Sequence, residues 1–266
     1  MPGKGTMNAL ILGDVVGQSG CRALFLALPG LVKKYSADLV VVNGENAAAG
    51  FGIDPDMLQK FFSSGVQVVT SGNHIWQQKE ILPFLDSQER LLRPHNYPKG
   101  VPGHGWCVVE SRGVKAAVLN LQGRVRMSNI LCPFAAGKEI LRKLRAETRV
   151  VIVDFHAEEP EEKEALALYL DGEASVLFGT HTQVQTADER ILPGGTAYIT
   201  DIGMIGSGAG VIGFRADVAM QRSVTQMPLK MEVCDNPAVI CGIVVEISTE
   251  TGKALRIERV RAESLV

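Results

Sequence analysis

Five short apolar runs in this chain each stop at a side chain able to hold a hard or borderline metal ion. Asp14 follows 9–12, Glu45 and Asn46 follow 39–42, Asn73 and His74 follow 66–70, His156 follows 150–155, and His181 follows 174–178. The stretch LVVVNGENAAAG at 39–50 shows the pattern best. Leu39 and the valines after it read as a strand covered on both faces. A carboxylate and amides at the end of such a strand are costly unless something satisfies their oxygens. A bound cation would do so, and open α/β sheets place their ligands at the carboxyl ends of strands. A polar turn leading into a helix is the competing reading. Carboxylate, amide oxygen and imidazole together suit Mn²⁺, iron or Zn²⁺ rather than Ca²⁺. The seven groups exceed one tetrahedral ion and match two ions sharing a carboxylate, with positions left for solvent and substrate. Taken singly, Asp14 also reads as a turn or cap residue, and His156 or His181 as a satisfied histidine. The recurrence carries the argument.

These groups meet only if the intervening elements bring the strand ends to one edge. Strand 9–12, helix 22–35, strand 39–42, helix 55–64, strand 66–70 and short helix 79–85 alternate, which calls for parallel strands and right-handed crossovers. Pro29 and Gly30 mark an irregularity in the first helix. Asp54 reads as the N-cap of the second, with Pro55 at its first position. Residues 93–106 form a long loop, and 106–110 with 116–121 a hairpin around Arg112-Gly113. Helix 134–145, strand 150–155, helix 161–170 and strand 174–178 follow; strand 196–200 leads to Asp201, and 239–247 with 254–260 close the chain as a hairpin. GSGAG at 206–210 lacks the βαβ unit of a dinucleotide loop and reads as a mobile loop over the site. His95 and His104 fall in the long loop and read as solvent-exposed. Residues 7–266 make one domain, with 1–6 an N-terminal extension.

Hydrophobic residues at 46% and charged residues at 21% of 266 suit a globular protein. A net charge of −2 gives no electrostatic footprint for duplex nucleic acid. The five cysteines are scattered and lack a CxxC pair. This argues against a disulfide framework or a cysteine zinc site and points to a reducing cytoplasm. No apolar run is long enough for a bilayer, and the first residues lack the core of a secretory signal. The expectation is a cytoplasmic protein with a small ligand, no membrane contact, and a homo-oligomer left open.

Asn73-His74 after Ser71-Gly72 makes the reading specific. ILGDVVG (11–17), VNGENAA (42–48), GNH (72–74), RPHNYP (93–98), NLQGR (120–124), VDFHAE (153–158), GTHTQVQTAD (179–188) and RILPGGTAYITD (190–201) occur in that order. With them the chain resembles the YmdB-like branch of the calcineurin-like metallophosphoesterases. The resemblance implies an α/β fold, a four-layer α-β-β-α metallophosphoesterase sandwich. It also implies two divalent metal ions, iron or manganese with magnesium or zinc as alternatives, and hydrolysis of phosphodiesters, including 2′,3′- or 3′,5′-cyclic nucleotides. Asp14 and Asn46 would bind one metal, Asn73, His156 and His181 the other, and Glu45 both. A hydroxide shared by the metals would attack phosphorus, with His74 as proton donor. Arg124 would contact a phosphate oxygen, and Glu158, Asp188 and Asp201 would orient the ligand histidines.

The chain departs from the family at one position. After Thr180-His181-Thr182 the family carries a second histidine ligand, and this chain carries Gln183, a weaker donor to iron or zinc. The first site then holds its metal loosely, prefers Mn²⁺ or Mg²⁺, or is absent. A metal- or nucleotide-binding regulatory protein with weak turnover is the second reading, and a phosphomonoesterase on the same centre the third.

Overall fold

The computed structural model describes residues 5–235 and 237–263. β1 (Thr6–Leu12) and the two-residue β2 (Asp14–Val15) lead into α1 (Gly17–Tyr35). β3 (Leu39–Asn43), α2 (Pro55–Ser63) and β4 (Val68–Thr70) follow, then a 3₁₀ turn at Lys79–Phe84. Asp54 does cap α2, its carboxylate accepting from the Met57 amide at 2.7 Å. The hairpin β5 (Trp106–Ser111) and β6 (Val114–Gln122) opens a second set of elements: α3 (Pro133–Glu147), β7 (Val150–His156), α4 (Pro160–Tyr169) and β8 (Val176–Thr180). The chain closes with β9 (Arg190–Ile191), β10 (Ala197–Ile199), β11 (Met204–Ser207), α5 (Ala216–Thr225), β12 (Ala238–Ser248) and β13 (Ala254–Glu263).

Two sheets result. In the seven-stranded one, β1, β3 and β4 run parallel, while β12 pairs antiparallel with β1, β11 and β13. In the six-stranded one, β6, β7, β8 and β10 run parallel, with β5 and β9 antiparallel at the edges. Three apolar cores separate the layers. Leu24, Leu28 and Phe61 of α1 and α2 pack on one face of the first sheet, and Leu141, Leu144 and Leu166 of α3 and α4 on the outer face of the second. Met7, Ile11, Val41, Val118, Ile152 and Val176 fill the space between the sheets. This is the expected α-β-β-α sandwich.

Three local expectations are corrected. α1 begins at Gly17 and runs unbroken through Pro29, which sits on its exposed side. GSGAG is not a free loop: Gly206 and Ser207 end β11, with Gly206 opposite Val239 in β12. A Gly-rich strand gives little propensity signal. His95 and His104 are half-buried, and His104 Nε2 lies 2.9 Å from the Asp86 carbonyl. Of the expected extension, residues 1–4 lie outside the described chain, and Thr6 is the first residue of β1.

The period of two along each strand explains where polar groups can enter. On β7, Val150 and Ile152 face the inter-sheet core while Val151, Val153 and Phe155 face α3 and α4. The same alternation turns Asp154 and His156 inward. It does likewise for Asn43 after Leu39 and Val41, Thr70 after Val68, and Thr180 after Val176 and Phe178. Each inner face is apolar until its carboxyl end and polar there. Parallel pairing brings those ends to one rim, and Asn43 Nδ2 of the first sheet donates to Asp154 Oδ2 of the second at 2.9 Å.

Candidate metal centre

The rim carries both halves of the candidate site. Asp14 opens β2, Glu45 and Asn46 follow β3, and Asn73 and His74 follow β4; His156 ends β7, and His181 and Gln183 follow β8. Glu45 is buried and accepts hydrogen bonds from the Gly72 amide and, at 2.6 Å, from the His74 amide. Gly72 has no room for a side chain, because a Cβ there would lie 2.2 Å from His156 Nε2. His156 Nε2 has Asn73 Oδ1 at 3.2 Å, His181 Nδ1 at 3.1 Å and Glu45 Oε1 at 3.4 Å. His181 Nε2 lies 3.1 Å from Glu158 Oε2, and Asp14 Oδ2 accepts from the His181 amide at 3.0 Å. His181 (φ 94°) and Gln183 (φ 65°) both occupy the left-handed region, where non-glycine residues need support from their surroundings.

Burial dominates the electrostatics. It pushes the Glu45 carboxyl up to about 7, against the opposing pull of His74 and the two amides. It also raises Asp14 well above the carboxylate range, reinforced by Asp201, Asp154 and Glu45. Burial lowers His156 far below its usual value and, with His156 beside it, takes His181 to about 3. Both imidazoles are therefore neutral. With one hydrogen of His181 directed to Glu158, its Nδ1 presents a lone pair.

The donor set fits cations. Glu45 Oε1, Asn73 Oδ1 and His181 Nδ1, all acceptors, crowd His156 Nε2. Asp14 Oδ1 and Gln183 Oε1 are buried acceptors with no hydrogen-bond partner. Orphaned buried acceptors are costly, and a metal ion relieves that cost. Among the described residues no group of three or more His, Cys, Asp or Glu side chains is arranged so that it could hold a metal ion. The donors lie against one another instead.

A cleft of about 350 Å³ opens onto this rim, bounded by Glu45, Asn46, His74, Glu158, His181 and Gln183 on one side. Phe51, Ile212, Phe214, Met231 and Arg222 form the other. The Asn46 amide is satisfied when its nitrogen donates to His74 Nδ1 at 2.8 Å and its oxygen accepts from Gln183 Nε2. Phe51 packs edge-on to the His74 ring, with centroids 5.1 Å apart. Arg124 is exposed, and its backbone amide donates to the Glu162 carboxylate at 3.0 Å; Arg222 of α5 is the arginine of the cleft wall. Of the three carboxylates expected to orient histidines, Glu158 touches one. Asp188 instead accepts from Thr186 and Thr200, and Asp201 pairs with buried Lys163 and accepts from Thr182.

Sequence reasoning missed Asp154, Asn43, Thr70 and Thr180. Asp154 accepts from Thr70 Oγ1, from Thr180 Oγ1 at 2.7 Å and from Asn43. Burial raises its carboxyl to about 7 against those bonds. The available signal was a carboxylate inside the apolar run VVIVDFH.

Comparison with known proteins agrees with this architecture. The family model for YmdB-like proteins matches residues 10–260. A 2′,3′-cyclic-nucleotide 2′-phosphodiesterase of Bacillus subtilis is 42% identical over 254 residues, 96% of each chain. A putative phosphatase/phosphodiesterase of Mycoplasma pneumoniae is 36% identical over 266 aligned positions, covering 96% of this chain and 93% of that protein. The crystal structure of a novel phosphatase from Mycoplasma pneumoniae superposes with a TM-score of 0.91 at 34% identity, covering 97% of this chain and 94% of that one. These relatives carry phosphodiesterase and phosphatase names, which supports a hydrolase. The chain belongs to the YmdB-like family.

Proposed function

We propose that this chain is a metal-dependent phosphodiesterase acting on cyclic nucleotides. The observation that carries the reading is the inward crowding of acceptors around His156 Nε2, beside the orphaned oxygens of Asp14 and Gln183. The name of the Bacillus subtilis relative supports the diester and cyclic-nucleotide part of the proposal. Glu45, Asn73, His156 and His181 would hold one cation, and Asp14, Asn46 and Gln183, again with Glu45, the other. Bound there, the cations supply Lewis-acid stabilisation of the phosphoryl oxygens and make water more acidic.

The chain's own groups do the rest. The Asn46 amide gives a hydrogen to His74 Nδ1, so the proton of this cleft-lining ring sits on Nε2. From Nε2 it can pass to the departing alkoxide. Glu45 holds the His74 backbone, and Phe51 packs against the ring, so the donor keeps one orientation. Arg222 supplies the cation side chain of the opposite wall, suited to a phosphate anion. The apolar side chains beside it suit a nucleobase, and the cleft is within the size range of small-molecule sites.

The test measures metal content and hydrolysis of a 2′,3′-cyclic nucleotide and of a chromogenic diester, with and without chelator. Metal-dependent turnover of both is expected. Diester turnover that survives chelation overturns the metal dependence. A metal-loaded protein inert on diesters and monoesters favours the regulatory reading.

A further inference from the structure

Arg222 stands apart from the other charged groups of the cleft. It sits in the last turn of α5 and is exposed. Arg215, the N-cap of the same helix, is held by Asp217 at 2.6 Å and by Glu232 at 3.1 Å. The Arg222 guanidinium has no ion pair or hydrogen bond among the described residues. Glu158 lines the same cleft but pairs with His181. Among the described residues that line the cleft, Arg222 is the one permanently cationic side chain. A guanidinium keeps its charge and presents a planar fork that matches the oxygens of a phosphate. Facing the cleft without a carboxylate of its own, it is available to an anion.

What lies between Arg222 and the donor rim decides which anion. A path of rings leads away from the rim. Phe51 packs 5.1 Å from the His74 ring and Phe214 packs 5.7 Å from Phe51, centroid to centroid. α5 begins just after Phe214, and Arg222 lies roughly 9 Å along it from Ala216, at about 1.5 Å per residue. An apolar stretch of Phe51, Phe214 and Met231, suited to a nucleoside, thus separates the rim from the guanidinium. A nucleotide whose scissile phosphate sits at the rim needs a second phosphate to reach Arg222. In a 2′,3′-cyclic nucleotide the 5′ position lies across the ribose and is free to carry one. In a 3′,5′-cyclic nucleotide the 5′ oxygen already belongs to the cyclic diester.

We propose that Arg222 binds the 5′-phosphoryl group of a 2′,3′-cyclic nucleotide, so that the preferred substrate carries a second phosphate one ribose away from the diester that is cut. This rests on the diesterase reading above and narrows it. Two sources share the chemistry: a free 5′-phosphorylated nucleotide, and the 3′ end of an RNA fragment.

The experiment measures kcat and KM of the Mn²⁺-loaded full chain on three substrates: adenosine 2′,3′-cyclic phosphate, its 5′-phosphorylated form, and a diadenosine dinucleotide ending in a 2′,3′-cyclic phosphate. Wild type is expected to favour the two that carry a 5′-phosphoryl group by about 10–100-fold, through KM, the usual worth of a hydrogen bond to a charged group. The one favoured more identifies the source. Arg222 is exposed, so its substitution spares the core. Arg222→Gln is expected to bring the ratio close to one. Arg222→Lys is expected to keep part of it, because the charge remains and the fork is lost. Wild type without the preference overturns the proposal. So does an Arg222→Gln that slows all three substrates by one factor, which would place the guanidinium on the scissile phosphate. If none is turned over, the diesterase reading fails and calorimetry decides this one. Tighter binding of adenosine 3′,5′-bisphosphate than of adenosine 3′-monophosphate, lost in Arg222→Gln, upholds it; equal binding overturns it.

Discussion

His74 and Gln183 carry the sharpest residue-level expectations. His74→Ala should keep its metal content and lose turnover by about 10²–10⁴-fold, the usual worth of a general acid. Metal loss on that substitution would identify His74 as a ligand instead. With Gln183 in place of a histidine, the proposed first site would offer only oxygen donors, from Asp14, Glu45, Asn46 and Gln183, a set suited to a hard cation. Gln183→His should tighten Zn²⁺ or iron there, read as metal retained after dialysis; unchanged retention would show that Gln183 is no ligand. The candidate donors were legible because each ends an apolar run, a pattern visible without knowing how the strands pair. Asp154, Thr70 and Thr180 were not. A single polar residue in a buried strand shows nothing of its partners until two sheets face each other. Arg124 and Arg222 make the same point: nothing in their local sequence says which one reaches the cleft.

At the level of elements, the loop after β8 is held from behind. Lys163 of α4 is fully buried and reaches Asp201 at 3.0 Å, past Gly179, where a Cβ would lie 2.8 Å from its side chain. Asp201 in turn accepts from Thr182 and Gly203, next to the left-handed His181 and Gln183. Removing one partner of a buried pair leaves an uncompensated charge. Lys163→Met should therefore cost about 3–5 kcal/mol in urea unfolding. Lys163→Met with Asp201→Asn should recover part of it, and equal losses would mean that the ion pair is not the cause. The repeating strand–helix units were legible from periodicity and from caps such as Asp54. β2, β9, β11 and α5 were not, because two- to four-residue strands carry too few residues for a period. α5 was hidden differently: it buries little beyond Ala219, so it shows no apolar stripe.

Across the whole molecule, each sheet brings one half of the donors, and a cation between them should act as a clasp. Mn²⁺ at a hundredfold excess over its Kd should add about 2.7 kcal/mol to stability. This would appear as a rise in Tm reversed by chelator; a Tm indifferent to both would remove the metal from the centre. The layered architecture was legible through the family motifs. The reason the sandwich works lay deeper, in the alternation that keeps each inner face apolar until its last one or two residues.

The wall opposite the donors comes largely from 208–235, between β11 and β12, where Phe214 and Met231 pack with Phe51 and Val16 in a small core of their own. Its helix α5 leaves Met220 and Val224 exposed. On the proposed function, chemistry and selectivity would then be encoded by separate stretches of polypeptide. Substitutions within 208–235 would then alter which molecules are admitted without disturbing the rim, which is anchored in two sheets.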